Sequence, residues 1–154
     1  SNPSDYNARS PFARNGTSIT TSLVFEGVAE EQRPLLAVGA AGNAWITSAV
    51  YHIITGVVDN GLSPQQALEH PRVLLGARFD PQDPNRVLSV RLQAEQGFAP
   101  KVVAGMEARG HTIQWISRYG RLRMGYAAAV MVGTGQVVVG ADPRRSGEAM
   151  VLPE

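Results

Sequence analysis

One stretch constrains the fold more than any other. Leu35-Leu36-Ala37-Val38 reads as a short buried strand that breaks at Gly39, and GAAGN (Gly39 to Asn43) then leads straight into a helix. In that helix Trp45, Ile46, Ala49, Val50, Ile53, Ile54, Val57 and Val58 recur at the one-four spacing of a single face. The face between them is mostly small or polar: Thr47, Ser48, His52, Thr55. A helix of this kind lays its apolar stripe on a sheet, so the chain must build strands for it to cover. Asp59-Asn60-Gly61 ends it.

The other segments supply those strands. Thr17 to Phe25 is β-branched and apolar, a strand, and Glu26 to Arg33 is a charged turn. Ser63-Pro64-Gln65-Gln66 predicts a helix start, with Ser63 as N-cap, Pro64 in the first turn and Gln66 closing a capping box. Pro71 stops that helix. Arg72 to Leu75 and Val87 to Leu92 predict strands around a Pro/Asp-rich loop. Pro100 to Arg109 predicts a helix ended by Gly110, and His111 to Ile116 a strand. Tyr126 to Val132 and Gln136 to Gly140 predict two strands joined by a hairpin turn at Gly133-Thr134-Gly135. The expected organisation is an irregular arm over 1–16 and one α+β domain over 17–154. Its sheet is expected to be mainly antiparallel, with the helices over 44–59 and 100–109 on its outer face.

Composition narrows the function classes. A chain of 154 residues, 44% apolar and 18% charged, is long enough for one real core and is globular rather than disordered. A net charge of +1 gives no drive toward nucleic acid or anionic membrane. No apolar run approaches the ~18 residues of a membrane span. The absence of cysteine removes disulfides, thiolate metal sites, iron–sulfur clusters and a cysteine nucleophile.

Candidate chemistry starts at GAAGN. The first backbone N–H groups of a helix lack internal partners and carry the positive end of its dipole, so they can hold a carboxylate, a phosphate or a developing oxyanion. Gly42 permits positive φ; Asn43 can cap the helix or take the left-handed region. An ordinary strand-to-helix turn uses the same residues. Thr17 to Ser22 is a hydroxyl-rich strand. Alternation sets Thr17, Ile19 and Thr21 on one side and Ser18, Thr20 and Ser22 on the other. It reads as a polar-ligand wall or as a solvated edge. His52, His70 and His111 lack metal-ligand spacing and read as structural. Asp80, Asp83 and Asn85 read as an Asp-Pro turn rather than a calcium loop. Asp142 with Arg144 and Arg145 reads as a tail anchor rather than an anion site. No nucleophile elbow and no Ser-x-x-Lys occurs, so these residues alone form no complete catalytic apparatus.

Together, four motifs in order resemble the γ-glutamyltranspeptidase family. They are AVGAAGNAWITSAV, GLSPQQALEHPRV, GMEARGHTI and GADPRRSGEA, and the resemblance runs over roughly residues 15–150. It implies an N-terminal nucleophile hydrolase, a four-layer α/β/β/α sandwich that is incomplete here. It implies a precursor that cleaves itself, whose new N-terminal Thr attacks a γ-glutamyl amide of a glutathione-like substrate, passing the acyl group to water or an amino acid. The family's Ser-Ser pair for the glutamyl α-carboxylate falls on Thr17 and Ser18; its Gly-Gly oxyanion turn falls on Gly42 and Asn43. Thr17 and Asn43 are substitutions. No residue here matches the nucleophile. The resemblance therefore implies a C-terminal piece that needs a large subunit and the N-terminal part of its own small subunit as partners. No cofactor, metal, nucleic acid or membrane insertion is implied. In isolation, uncovered apolar sheet would favour self-association. Many bacterial members of the family are periplasmic or extracellular. A related acylase of the same superfamily and a non-catalytic binding or assembly module are the competing readings.

Overall fold

The computed structural model describes residues 19–83, 86–117, 125–133 and 135–152, with Arg78 and Phe79 described by backbone only. Among these the strands form two sheets. The first contains β1 (Ser22–Glu26), β2 (Arg33–Ala41), β6 (Tyr126–Gly133) and β7 (Gln136–Ala141), ordered β1-β2-β6-β7 and antiparallel throughout. The second contains β3 (Val73–Phe79), β4 (Val87–Glu95) and β5 (Ile113–Ile116). There β3 and β4 are antiparallel, while β4 and β5 are parallel. The parallel pair follows from its connection: the crossover through α3 (Pro100–Ala108) returns the chain to the same end of the sheet. The architecture is α+β with mainly antiparallel sheets, as expected; α1 (Trp45–Val58) packs on the first sheet, while α3 lies in the connection between β4 and β5 and buries none of its residues.

The helix read from the one-four spacing lies on the first sheet. Val50, Ile53 and Val57 of α1 meet Leu36 and Val38 of β2 and Ala127 and Ala129 of β6. Helix α2 (Pro64–Glu69) adds Ala67 and Leu68 to the same core. Its start is the expected capping box. The Gln66 amide donates to Ser63 Oγ at 3.3 Å, and the Ser63 amide donates to Gln66 Oε1 at 2.9 Å. The polar face of α1 is also used: Ser48 Oγ donates to the Val73 carbonyl, and His52 Nε2 lies 3.2 Å from the same oxygen. Burial lowers the His52 pKa, which keeps the imidazole neutral at this contact.

Several strand boundaries differ from expectation: β1 begins at Ser22, leaving the described Ile19 to Thr21 of the expected Thr17–Phe25 strand outside it, β2 begins at Arg33, β4 runs on to Glu95 and β5 begins at Ile113. β2 does not break at Gly39 but runs on to Ala41, because Gly39 to Ala41 pair with Ala128 to Tyr126 and need no side chain to do so. β3 likewise runs on to Phe79, paired with Val87. The arm over 1–16 and Thr134 of the hairpin turn lie outside the described residues.

The other face of the first sheet is apolar and open. Leu23, Ala37, Val130 and Val139 stand in one cross-strand row, and Val132 pairs with Val137 beside it. Leu23, Tyr126, Val130, Val132 and Val137 are all exposed. No described helix is long and apolar enough to cross a membrane.

Candidate active site

The end of β2 delivers the chain into the GAAGN turn. Gly42 has φ +136° and Asn43 has φ +57°. Of the two roles open to Asn43, the turn uses the left-handed one, which Asn tolerates better than other non-glycine residues. No side chain caps α1. The helix opens instead through backbone bonds, Trp45 N–H to the Gly42 carbonyl at 3.3 Å and Ile46 N–H to the Asn43 carbonyl at 3.0 Å. Among the described residues no acceptor meets the Asn43 or Ala44 amide. Asn43 is exposed.

Gly42 is demanded by a neighbour as well as by φ. A Cβ built on it would overlap the Cα of Gly125 and stand 2.9 Å from the Gly125 amide nitrogen. The hydroxyl-rich segment approaches the same helix end: Thr20 Oγ1 lies 3.3 Å from Thr47 Oγ1 in the first turn of α1. Thr20 and Ser22 are half-buried while Ile19 and Thr21 are exposed, which is the expected alternation. Thr17 and Ser18 themselves lie outside the described residues.

Two of the motifs that carry the resemblance, GLSPQQALEHPRV and GADPRRSGEA, do something else. Arg72, Glu95, Asp142 and Arg144 are all buried and form one ionic quartet. Arg144 grips Glu95 with two nitrogens, Nε to Oε1 at 2.7 Å and Nη2 to Oε2. Its Nη1 donates to the Leu68 carbonyl at 2.7 Å and its Nη2 to the His70 carbonyl at 2.9 Å, satisfying the open end of α2. Asp142 accepts from Arg144 Nη1 at 3.0 Å and pairs with Arg72 Nη2 at 2.7 Å. Burial alone would lower the Arg144 pKa, but the bonds and charge of Glu95 and Asp142 override it and raise the value. For Arg72, burial and then the Arg144 charge prevail and lower it. Arg72 Nε and Nη1 are buried without a partner among the described residues. The quartet is a tail anchor: Arg144 pairs with both acids and Asp142 with both arginines, while Glu95, which no motif announced, takes the Arg144 fork and the Arg72 backbone amide. Gln65 of the GLSPQQA motif is structural too: it donates to the Ala141 carbonyl at 3.2 Å and accepts from the Ala141 amide at 3.1 Å.

Asp80 accepts from the Gln82 amide at 2.9 Å and pairs with Arg86 at 3.6 Å, a turn anchored by its own side chain; Asn85 lies outside the described residues.

The family model described as Gamma-glutamyltranspeptidase matches residues 1–152. The Glutathione hydrolase-like YwrD proenzyme of Bacillus subtilis is 29% identical over 145 residues, covering 94% of this chain and 26% of that protein. The chain spans about a quarter of the length of the curated relatives it matches. Among solved structures, the gamma-glutamyltranspeptidase of Pseudomonas nitroreducens superposes with TM-score 0.69 at 22% identity, covering 97% of this chain and 70% of that one. A cephalosporin acylase from Bacillus halodurans shares the fold with TM-score 0.64 at 21% identity, covering 79% of this chain and 21% of that one.

Proposed function

This chain belongs to the gamma-glutamyltranspeptidase family, and on that premise we propose that it is the C-terminal part of a protein that hydrolyses or transfers γ-glutamyl groups of glutathione-like amides. In this reading it contributes the oxyanion turn at Gly42 and Asn43 and the glutamyl α-carboxylate contacts at Thr17 and Ser18. Earlier segments of the same precursor contribute the nucleophile and the large subunit. The observation that carries the reading is the turn itself. Two successive residues with positive φ leave the Asn43 and Ala44 amides without an acceptor among the described residues, at the positive end of a 14-residue helix. Attack on an amide moves negative charge onto its carbonyl oxygen, and backbone amides fixed beforehand stabilise that charge without reorganising. The Thr20–Thr47 contact brings the described end of the hydroxyl-rich segment to the same helix end.

Two assays test this. The 154-residue chain alone should release no amine from a γ-glutamyl anilide above the buffer rate, whereas the complete protein should. Turnover by the isolated chain would mean that a catalytic residue has been overlooked. In the complete protein, Gly42→Val should abolish activity, and Thr17→Ala should raise KM more than it lowers kcat, because it removes a ground-state contact. We read the open apolar face of the first sheet as the surface that the earlier segments cover. Light scattering on the isolated chain should then show self-association, and a strict monomer at high concentration would count against the C-terminal-piece reading.

The acylase reading keeps two supports, the substitutions at Thr17 and Asn43 and a fold shared with an acylase. Turnover of an acyl amide lacking the glutamyl α-carboxylate, in preference to a γ-glutamyl amide, would select it.

A further inference from the structure

Gly125 stands immediately before β6 with φ +72° and is buried. Its backbone packs directly on that of Gly42, and the demand is mutual. A Cβ on Gly125 would overlap the Ala41 carbonyl oxygen and lie 3.3 Å from the α-carbon of Gly42. Two glycines with positive φ therefore pack backbone on backbone, and neither tolerates a side chain. The position of Gly125 is in turn held from behind. Asp142 clamps Ala127 twice, accepting from its amide through Oδ2 at 3.0 Å and donating its own amide to the Ala127 carbonyl at 3.1 Å. Ala40 and Ala41 pair with Ala127 and Tyr126, so the strands on either side of the glycine pair are locked in register.

We propose that Gly125 is a positioning residue for the Gly42–Asn43 turn: its backbone forms the floor that sets the height and tilt of the turn's amides. The proposal rests on the reading of that turn as the oxyanion site. It makes Gly125 a residue that touches no substrate yet sets the transition-state contact. It also explains why a turn with so few bonds of its own holds a left-handed Asn: the floor leaves Gly42 one height at which to sit, and Asn43 follows.

The test compares three variants of the complete protein on a γ-glutamyl anilide: Gly125→Ala, Gly42→Ala and Gly135→Ala. Gly135 has φ +76° in the β6–β7 hairpin, and a Cβ there meets nothing within 4 Å, so its variant reports the backbone penalty alone. A misplaced oxyanion donor acts on the transition state and not on ground-state binding. Gly125→Ala should therefore lower kcat by about 10²-fold with KM nearly unchanged, while Gly135→Ala keeps both. If Gly42→Ala lowers kcat and Gly125→Ala does not, the positioning role is overturned and the oxyanion reading survives. If Gly42→Ala keeps kcat, the oxyanion reading itself falls. If kcat falls equally in Gly125→Ala and Gly135→Ala, the effect is general strain and the proposal is wrong. Should Gly125→Ala fail to fold, a crystal structure of the complete unsubstituted protein decides. Gly42 packed directly against the backbone of Gly125 supports the floor, and a water or side chain between them overturns it.

Discussion

The Gly42–Asn43 turn and the quartet of Arg72, Glu95, Asp142 and Arg144 both bear on the first residues of β6, and they are built in opposite ways. The quartet is all side chain: buried, bidentate, and tied to the carbonyls of Leu68 and His70. The turn is all backbone: half exposed, with amides that no described group accepts from. The difference teaches where identity resides. A buried guanidinium gripping a carboxylate admits almost no other residue, whereas an amide can be presented by any residue that reaches the right φ. The anchor is therefore written in charged side chains, three of them in recognisable motifs, and the candidate chemistry in a motif of glycines and one asparagine.

Breaking the anchor should have the largest effect on stability. Arg144→Leu leaves Glu95 and Asp142 short of positive charge in a site that water does not reach. It should cost about 3–5 kcal/mol, read as a lowered urea midpoint. A loss below about 1 kcal/mol would mean that water reaches the quartet. Asn43 should come next. Asn43→Ala forces a less tolerant residue into the left-handed region and should cost about 1 kcal/mol, while Asn43→Gly should be close to neutral. Equal losses from both would show that the Asn43 side chain, not its φ, holds the turn.

The smallest effect lies between the two regions, at His52. Its folded pKa is lowered, chiefly by burial, so between that value and about 6.5 the unfolded chain binds more protons. Stability from this group is therefore full above about pH 6.5 and is lost as pH falls through that point toward the folded value. His52→Asn should flatten the dependence of the urea midpoint on pH over that window. An unchanged slope would assign the pH response to other groups.

Much of the fold was legible in the residues themselves. The stripe from Trp45 to Val58, the Ser63–Gln66 capping box and the paired β6 and β7 strands each depend on neighbours within a few positions, where local periodicity and capping chemistry act. Of the candidate site, Gly42 and Asn43 could be singled out because a glycine-bearing turn at the head of an amphipathic helix is a local pattern. Gly125 could not. Its role depends on packing against a residue far earlier in the chain, and a glycine ahead of a strand looks like any other. Glu95 was hidden for the same reason: an acidic residue at a strand end reads as solvated until Arg72 and Arg144 are folded against it.

By itself the sequence determined the helices, most strands, the α+β class and the order of the family motifs, because these follow from patterns spaced within one or two turns of chain. Only the tertiary structure decided which strands share a sheet, that β4 and β5 run parallel, and that the PRV and DPRR motifs meet beside Glu95. It alone also decided that Gly42 rests on Gly125. Those outcomes depend on which distant surfaces come together. Burial is what gives a distant pairing its energy: it makes an unpaired charge or an intruding Cβ costly, and no local pattern records where burial will fall.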